Sequence, residues 1–205
     1  MRLNRRILST TALMILTVLT GACSSEKPFL IVHYQLPPAS QQLEAQKVWV
    51  AVTDTRNEKA FLSESAKKSL RTFNDTYSLV VVKKDGSGNL FGVYDLDALL
   101  SEIFRQRLAD TGIQVAPSSE SADYKLEIDL KEFKLDLVNQ KWLVSMNYQA
   151  DLIKDGRVRS METITGSVER LKVMAKTDAE KVLSELLSDM ANKLNLVRLF
   201  QQAQG

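Results

Sequence analysis

Few side chains in this sequence could perform chemistry. Among 205 residues there is one cysteine, Cys23, and one histidine, His33. A serine or cysteine nucleophile needs a general base beside it, and a zinc site needs several nitrogen or sulfur ligands. These two residues cannot supply the usual sets, so we expect no catalytic residue, no metal and no cofactor. The 25 acidic residues could supply a catalytic pair of carboxylates. A cell-wall or lipid-active hydrolase therefore remains as an alternative to a non-enzymatic protein.

Asp54 and Arg56 are the polar pair to consider as a contact site. They follow residues 48–52, an apolar run that predicts a central strand covered on both faces. Ligands of α/β sheets bind near such strand ends, but an ion pair that fixes the following loop is the use we expect first. We interpret Trp49 and Trp142 as core or sheet-face residues rather than a binding platform. We expect no special role for His33.

The elements that position these residues begin after an export signal. Three arginines lie within the first six residues and precede an apolar run over residues 7–20. This is the arrangement of a signal peptide, and the interrupted run is shorter than the roughly 20 apolar residues of a membrane-spanning helix. The run ends in Leu19-Thr20-Gly21-Ala22-Cys23, which resembles the lipobox of bacterial lipoproteins, although Thr20 stands where an aliphatic residue is commoner.

The lipobox resemblance implies cleavage between Ala22 and Cys23 and lipid on Cys23. An ordinary secretory signal would leave a free thiol, which is a liability in an oxidising compartment, so a single cysteine favours lipidation. Ser24 and Ser25 stand where an aspartate would retain the protein in the inner membrane. The resemblance therefore implies a protein anchored to the outer membrane and facing the periplasm.

The charge balance changes when the signal is removed. The whole chain has 27 basic and 25 acidic residues, and loss of residues 1–22 leaves 24 basic and 25 acidic residues. A domain without a basic surplus has no electrostatic attraction for nucleic acid, so we exclude nucleic acid as a partner. The expected partners are the membrane, through the lipid anchor, and envelope proteins or lipid.

Four segments are predicted. Residues 1–22 are the signal peptide, 23–46 the lipidated N-terminus and tether, 47–200 a globular domain and 201–205 a polar tail. Residues 29–34 are β-prone and could add a strand to the domain. Within the domain we expect a strand at 77–82, a turn at 84–89 and an amphipathic helix that begins at Asp95.

The second half of the domain predicts three antiparallel strands and a helix. Apolar alternation switches parity after residue 130, which predicts a β-bulge near Lys131 or Glu132. Asp155-Gly156 predicts a tight hairpin turn. Thr177 and Glu180 have the spacing of a capping box at the start of the last amphipathic helix. The apolar residues 196–200 are expected to cover the sheet.

This order of elements predicts a single α/β (α+β) domain with a mixed, mostly antiparallel sheet and two amphipathic helices packed on it. The Val52-Thr53-Asp54-Thr55-Arg56 strand end, the Gly112-Ile113-Gln114-Val115 stop and the Ala122-Asp123-Tyr124-Lys125-Leu126 strand resemble the YajG family of bacterial lipoproteins. His33-Tyr34-Gln35-Leu36-Pro37-Pro38 is similar to the start of PqiC-like auxiliary lipoproteins of ABC-type lipid transport systems. Both resemblances imply a TolB-N/CsgG-like fold that binds proteins and has no known active site.

The sequence therefore predicts a non-enzymatic envelope lipoprotein that acts as an accessory or scaffold through protein or lipid contact. Two alternatives remain open, a lipid-transport auxiliary and a hydrolase. Its oligomeric state stays open.

Overall fold

A computed structural model describes residues 29–40, 43, 46–70, 78–82, 90–94 and 96–204. The signal peptide, Cys23, the turn at 84–89 and Asp95 lie outside these residues. The described strands are β1 (Phe29–Val32), β2 (Lys47–Asp54), β3 (Ser78–Val82), β4 (Leu90–Tyr94), β5 (Gln114–Val115), β6 (Tyr124–Val138), β7 (Lys141–Lys154) and β8 (Arg157–Leu171). The described helices are α1 (Glu64–Leu70), α2 (Leu96–Ala109), α3 (Ala175–Lys193) and α4 (Leu196–Gln204).

The large sheet has the strand order β5-β2-β6-β7-β8. Strand β2 pairs in parallel with β5 and β6, whereas β6, β7 and β8 form an antiparallel meander. Alternate residues along most of β6 and β7 are buried because successive side chains point to opposite faces of a sheet and helices pack on one of these faces. The predicted single α+β domain, with a mixed sheet and helices packed on it, is confirmed.

The predicted bulge is present in β6. Its register against β7 shifts between Leu130 and Glu132. The extra residue returns Phe133 and Leu135 to the buried face that Leu130 occupies. At the other end of the meander, Asp155 and Gly156 have φ values of 53° and 70°, as expected of a two-residue hairpin turn of type I′.

The prediction that both faces of β2 are covered is wrong. Val48 and Val50 are buried, but Trp49 on the opposite face is partly exposed, and the ammonium of Lys125 lies 5.4 Å from its ring centroid. The four described helices pack on the opposite face of the large sheet, the face to which Val48 and Val50 belong. The apolar residues of the run 48–52 therefore have two uses. Val48 and Val50 pack in the core, and Trp49 makes a cation–π contact with Lys125 on the other face.

The capping box predicted at Thr177 and Glu180 is also wrong. Helix α3 begins earlier, at Ala175, with Met174 as its N-cap. The Oδ2 atom of Asp178 accepts hydrogen bonds from the backbone N–H groups of Val173 and Met174, at 2.8 and 2.6 Å. These bonds hold the pKa of Asp178 below its usual value. The helix extends back because Ala175 and Lys176 are good helix formers.

A second sheet of three strands, in the order β1-β3-β4, lies beside α3. Strand β1 pairs in parallel with β3, and β3 pairs antiparallel with β4. The predicted strand at residues 29–34 is therefore present, but it joins this small sheet rather than the large one.

No helix in the described part of the chain is long and apolar enough to cross a membrane.

Candidate functional site

Asp54 and Arg56 form a bidentate ion pair at the end of β2. The Nε atom of Arg56 donates to Oδ1 of Asp54 at 2.9 Å, and Nη2 donates to Oδ2 at 2.8 Å. The backbone N–H of Arg56 donates to the same Oδ1 at 3.1 Å. The carboxylate thus closes a turn over its own loop, and the side-chain hydrogen bond from Arg56 lowers the pKa of Asp54 to about 2.

The remaining nitrogen of Arg56 reaches across to the bulged strand. Its Nη1 atom donates to the carbonyl oxygen of Phe133 at 3.1 Å, and the residue is only 7% exposed. On the exposed side, Lys59 donates to the carbonyl oxygen of Asp54 at 2.6 Å. The pair therefore joins the end of β2 to the segment of β6 that follows the bulge.

A shallow cavity of about 180 Å³ lies beside this pair. Its lining consists of Arg56, Asn57, Glu58, Ala60, Lys131, Glu132, Phe133 and Lys134. Each nitrogen of Arg56 already donates within the protein, and Lys131 and Glu132 hydrogen-bond to Gln149 and Ser145. The cavity therefore offers mixed charges that are largely engaged, an arrangement better suited to fixing a loop than to binding a ligand.

A second polar arrangement holds the chain that leads towards Cys23. Residues 31 to 35 lie extended along α3, and alternate backbone N–H groups donate to side chains of this helix. Ile31 donates to Oε1 of Glu180 at 2.9 Å. His33 and Gln35 donate to the hydroxyls of Ser184 and Ser188, both at 3.0 Å. We call this set of acceptors the arm ladder.

The arm ladder works because two periods coincide. Two residues of an extended chain advance about 6.6 Å, and four residues of a helix advance about 6 Å. Acceptors at i, i+4 and i+8 on the helix can therefore meet every second N–H of the arm. Each serine hydroxyl also donates to the carbonyl four residues earlier, at 2.6 Å for Ser184 and 2.8 Å for Ser188, which leaves its lone pairs directed at the arm.

Apolar packing and further hydrogen bonds complete the attachment of the arm. Leu30 and Val32 are fully buried in the core, and Tyr34 donates its hydroxyl to Oε1 of Gln106 at 3.0 Å. Farther along, Ser40 donates its backbone N–H to the carbonyl oxygen of Asp110 at 2.6 Å. His33 itself is exposed, and its backbone takes part in the arm ladder.

Sequence reasoning missed the arm ladder, although a signal was available. One polar stripe of the amphipathic helix α3 has residues spaced by four, namely Glu180, Ser184, Ser188 and Asn192. Asn192 ends the stripe by donating to the carbonyl oxygen of Gln35 at 3.1 Å. Glu180 was expected to cap the helix and instead binds the arm, which only the tertiary arrangement reveals.

The structure separates the other candidate residues. Trp142 is fully buried in the core, whereas Trp49 lies on the open face of the sheet, so the two tryptophans do not form a common platform. The described part of the chain contains no group of three or more His, Cys, Asp or Glu residues that could hold a metal ion. The described candidates thus comprise a loop-fixing ion pair and a clamped N-terminal arm.

Comparisons with known proteins show likeness in fold. No protein-family profile and no curated protein match the sequence. A Xanthomonas campestris protein assigned to DUF330 has a TM-score of 0.51 and 17% identity, with 85% of this chain and 98% of that chain covered. This likeness shows a shared fold.

Bacterial lipoproteins are among the weaker matches. A minor lipoprotein from Acinetobacter baumannii has a TM-score of 0.41 and 10% identity, covering 78% of this chain and 94% of that one. Rare lipoprotein B from Shewanella oneidensis has a TM-score of 0.37 and 9% identity, covering 76% and 93%. At these values the likeness carries no argument about function.

Proposed function

We propose that this protein is a lipid-anchored envelope lipoprotein that faces the periplasm and acts through protein or lipid contact rather than catalysis. The observation that carries the proposal is the clamped arm. The described chain begins at Phe29, six residues after Cys23, and is held along α3 by the arm ladder. A lipid on Cys23 would therefore be attached to a fixed point of the domain.

The length of the connection limits the distance to the membrane. Six residues reach at most about 20 Å when fully extended. Because the arm is hydrogen-bonded to α3 from Ile31 onward, it cannot extend to increase the distance between the domain and the membrane. A protein held this closely acts at the membrane surface, which suits a role in binding envelope proteins or lipid. Two sequence resemblances also support this proposal, one to the lipobox and one to the YajG family.

Metabolic labelling with a palmitate analogue tests the anchor. The wild-type protein should incorporate the analogue, and Cys23→Ala should lose it while remaining folded. Equal labelling of both proteins would contradict the proposal. For the outer-membrane assignment, membrane fractionation should place the wild type in the outer membrane and Ser24→Asp in the inner membrane.

A second candidate is an auxiliary lipoprotein of an ABC-type lipid transport system. The shared fold with the DUF330 protein supports it, together with the similarity of residues 33–38 to the start of PqiC-like proteins. Crosslinking in the envelope followed by mass spectrometry tests it. Recovery of a permease and a substrate-binding protein would favour this candidate, whereas recovery of unrelated envelope proteins would favour a scaffold.

The hydrolase alternative has its own test. We expect the purified mature protein to release no product from peptidoglycan or from phospholipid. If it does release product, and substitution of one aspartate or glutamate abolishes the release, the non-enzymatic proposal is wrong.

A further inference from the structure

One end of the large sheet exposes a group of large apolar side chains to solvent. Its members are Val138, Leu143, Leu171, Val173 and Met174, which are 45%, 36%, 58%, 76% and 63% exposed. We call this surface the apolar tip. Large aliphatic side chains exposed to this degree at one place mark a contact surface.

The apolar tip is continuous. Val138 and Leu171 both pair with Lys141 in neighbouring ladders. The backbone N–H of Lys172 donates to the carbonyl oxygen of Gln140 at 2.8 Å, which fixes the segment after β8 against the β6–β7 turn. Val173 and Met174 follow directly and are held by Asp178. The β6–β7 turn and the start of α3 thus form one rigid surface.

The rest of the same sheet face has a different character. Between the two ends of the sheet, the side chains on the same face as Leu143 are polar, charged on β6 (Lys134, Glu132 and Asp129) and uncharged on β7 and β8. The uncharged side chains include Ser145, Asn147, Gln149, Thr163, Thr165 and Ser167, as the ladder register shows. Near the Asp155-Gly156 turn, Val158 and Met161 are also 55% and 58% exposed, so five of the seven exposed large apolar side chains of the described residues lie at the tip and two lie towards the opposite end.

The described part of the arm begins at this same end. Helix α3 begins one residue after Met174, and Ile31 bonds to Glu180 near its start. The two-for-four register of the arm ladder places Phe29 level with Lys176, in the first turn of α3. The start of the described arm and the apolar tip therefore lie together.

Charge at this end also suits a membrane surface. Lys172 lies directly before Val173 and is partly buried. The nearby acids Glu169 and Glu185 are paired with Lys141 and Arg170, and Asp178 is buried and accepts backbone hydrogen bonds. A lysine beside exposed aliphatic residues matches the boundary between anionic headgroups and acyl chains.

We propose that the apolar tip inserts into the headgroup and acyl boundary of the leaflet that carries the lipid of Cys23. This inference rests on the proposed lipid anchor and adds an orientation to it. The meander then stands with the β6–β7 turn towards the bilayer and the Asp155-Gly156 turn away from it. The open polar face is left accessible to partners.

A fluorescent label at matched positions tests the orientation. Val173→Cys places a thiol on the tip, and Val158→Cys places one on an equally apolar, 55% exposed position at the other end of β8, about 40 Å away. Full-length lipidated variants carry an environment-sensitive dye on the new thiol, because the sulfur of Cys23 is blocked by lipid. They are reconstituted in phosphatidylethanolamine and phosphatidylglycerol vesicles.

The expected result is a blue shift and strong quenching by brominated phospholipid at position 173, with neither at 158. A second pair, Met174→Cys and Met161→Cys, should repeat this difference. Vesicles that float without quenching at 173 and 174 would overturn the orientation and leave the anchor intact. A blue shift that depends on protein density without bromine quenching would assign the tip to a second copy and also overturn the proposal. Failure to float would overturn the anchor and the orientation together.

Discussion

At the scale of single residues, the central feature is that each side-chain nitrogen of Arg56 donates a hydrogen bond to an acceptor within the protein. Two bonds go to Asp54 and one goes to the carbonyl of Phe133. A planar guanidinium suits this because its donors leave in fixed directions, which an ammonium cannot reproduce. We therefore interpret the pair as the device that holds the loop after β2 against the bulge.

Replacing Arg56 should destabilise the domain more than replacing an exposed arginine. Arg56→Met removes two hydrogen bonds from the partly buried carboxylate of Asp54 and one from the carbonyl of Phe133, and we expect a loss of roughly 2 kcal/mol in the free energy of unfolding. Arg56→Lys should lose less because the charge is retained. Urea denaturation measures both, with Arg159→Met, whose pair with Asp155 is exposed, as the control expected to change stability by less than about 1 kcal/mol. Equal effects at the two arginines would contradict the interpretation.

The lowered pKa of Asp54 predicts a specific acid sensitivity. Its folded pKa is about 2, compared with 3.8 for the model compound. The charged carboxylate thus contributes stability that is fully present above the unfolded pKa and is lost as the pH falls through the folded pKa. The linked contribution is about 2 kcal/mol.

Denaturation curves recorded at several pH values from pH 6 down to pH 2 measure this contribution. The lower limit is close to the folded pKa of Asp54. The difference between the wild type and Asp54→Asn should be largest at the upper end and should shrink as the pH falls. A constant difference over the range would show that the carboxylate charge does not stabilise the loop.

At the scale of elements, the arm ladder shows a helix acting as the partner of an extended chain. Its acceptors are side chains at every fourth position, and they replace the carbonyls that a neighbouring strand would supply. This solves the problem of unpaired backbone donors on the side of the arm that faces α3. It also aligns the arm with the axis of the longest helix.

Removing the serine hydroxyls should release the arm without weakening the helix. Alanine has the highest helix propensity, so Ser184→Ala with Ser188→Ala should leave α3 formed while the amides of His33 and Gln35 lose their acceptors. We expect faster hydrogen exchange at these two amides. Ser184→Thr with Ser188→Thr retains the hydroxyls and should preserve protection. Faster exchange in both double variants, or in neither, would contradict the ladder.

At the scale of the whole molecule, the arm is part of the core although it leads to the anchor. Leu30 and Val32 are fully buried, and β1 pairs with β3 in the small sheet. The described helices, the small sheet and the arm lie on one side of the large sheet, and no described element covers its other face. The molecule thus couples the proposed membrane attachment directly to its folding.

A chain that begins at Lys47 should therefore be less stable than one that begins at Ser24, with neither carrying lipid. Loss of Leu30 and Val32 alone removes roughly 4 kcal/mol of apolar burial. Thermal and urea denaturation of the two chains measure the difference. Leu30→Ala in the longer chain should lose part of it, and equal stability of all three would show that the arm is only a tether.

Local patterns predicted most of the large sheet. The parity switch around Lys131 indicated the bulge, and Asp155-Gly156 indicated the turn, because both depend on near neighbours in the chain. Patterns of leucines likewise indicated α2 and α3. The predicted start of α3 is wrong because Thr177 and Glu180 satisfy the spacing of a capping box, while the side-chain hydrogen bonds at the start of the helix are accepted by Asp178.

By itself the sequence determined the alternation of strands and helices, the α+β class and the scarcity of catalytic side chains, because each follows from residue type and short-range spacing. Only the tertiary structure decided that Glu180, Ser184 and Ser188 bind an arm about 150 residues earlier. It alone brought Val138, Leu171 and Met174 to the end where the arm begins. These contacts join residues that are far apart in the chain, and no local pattern records which surfaces packing brings together.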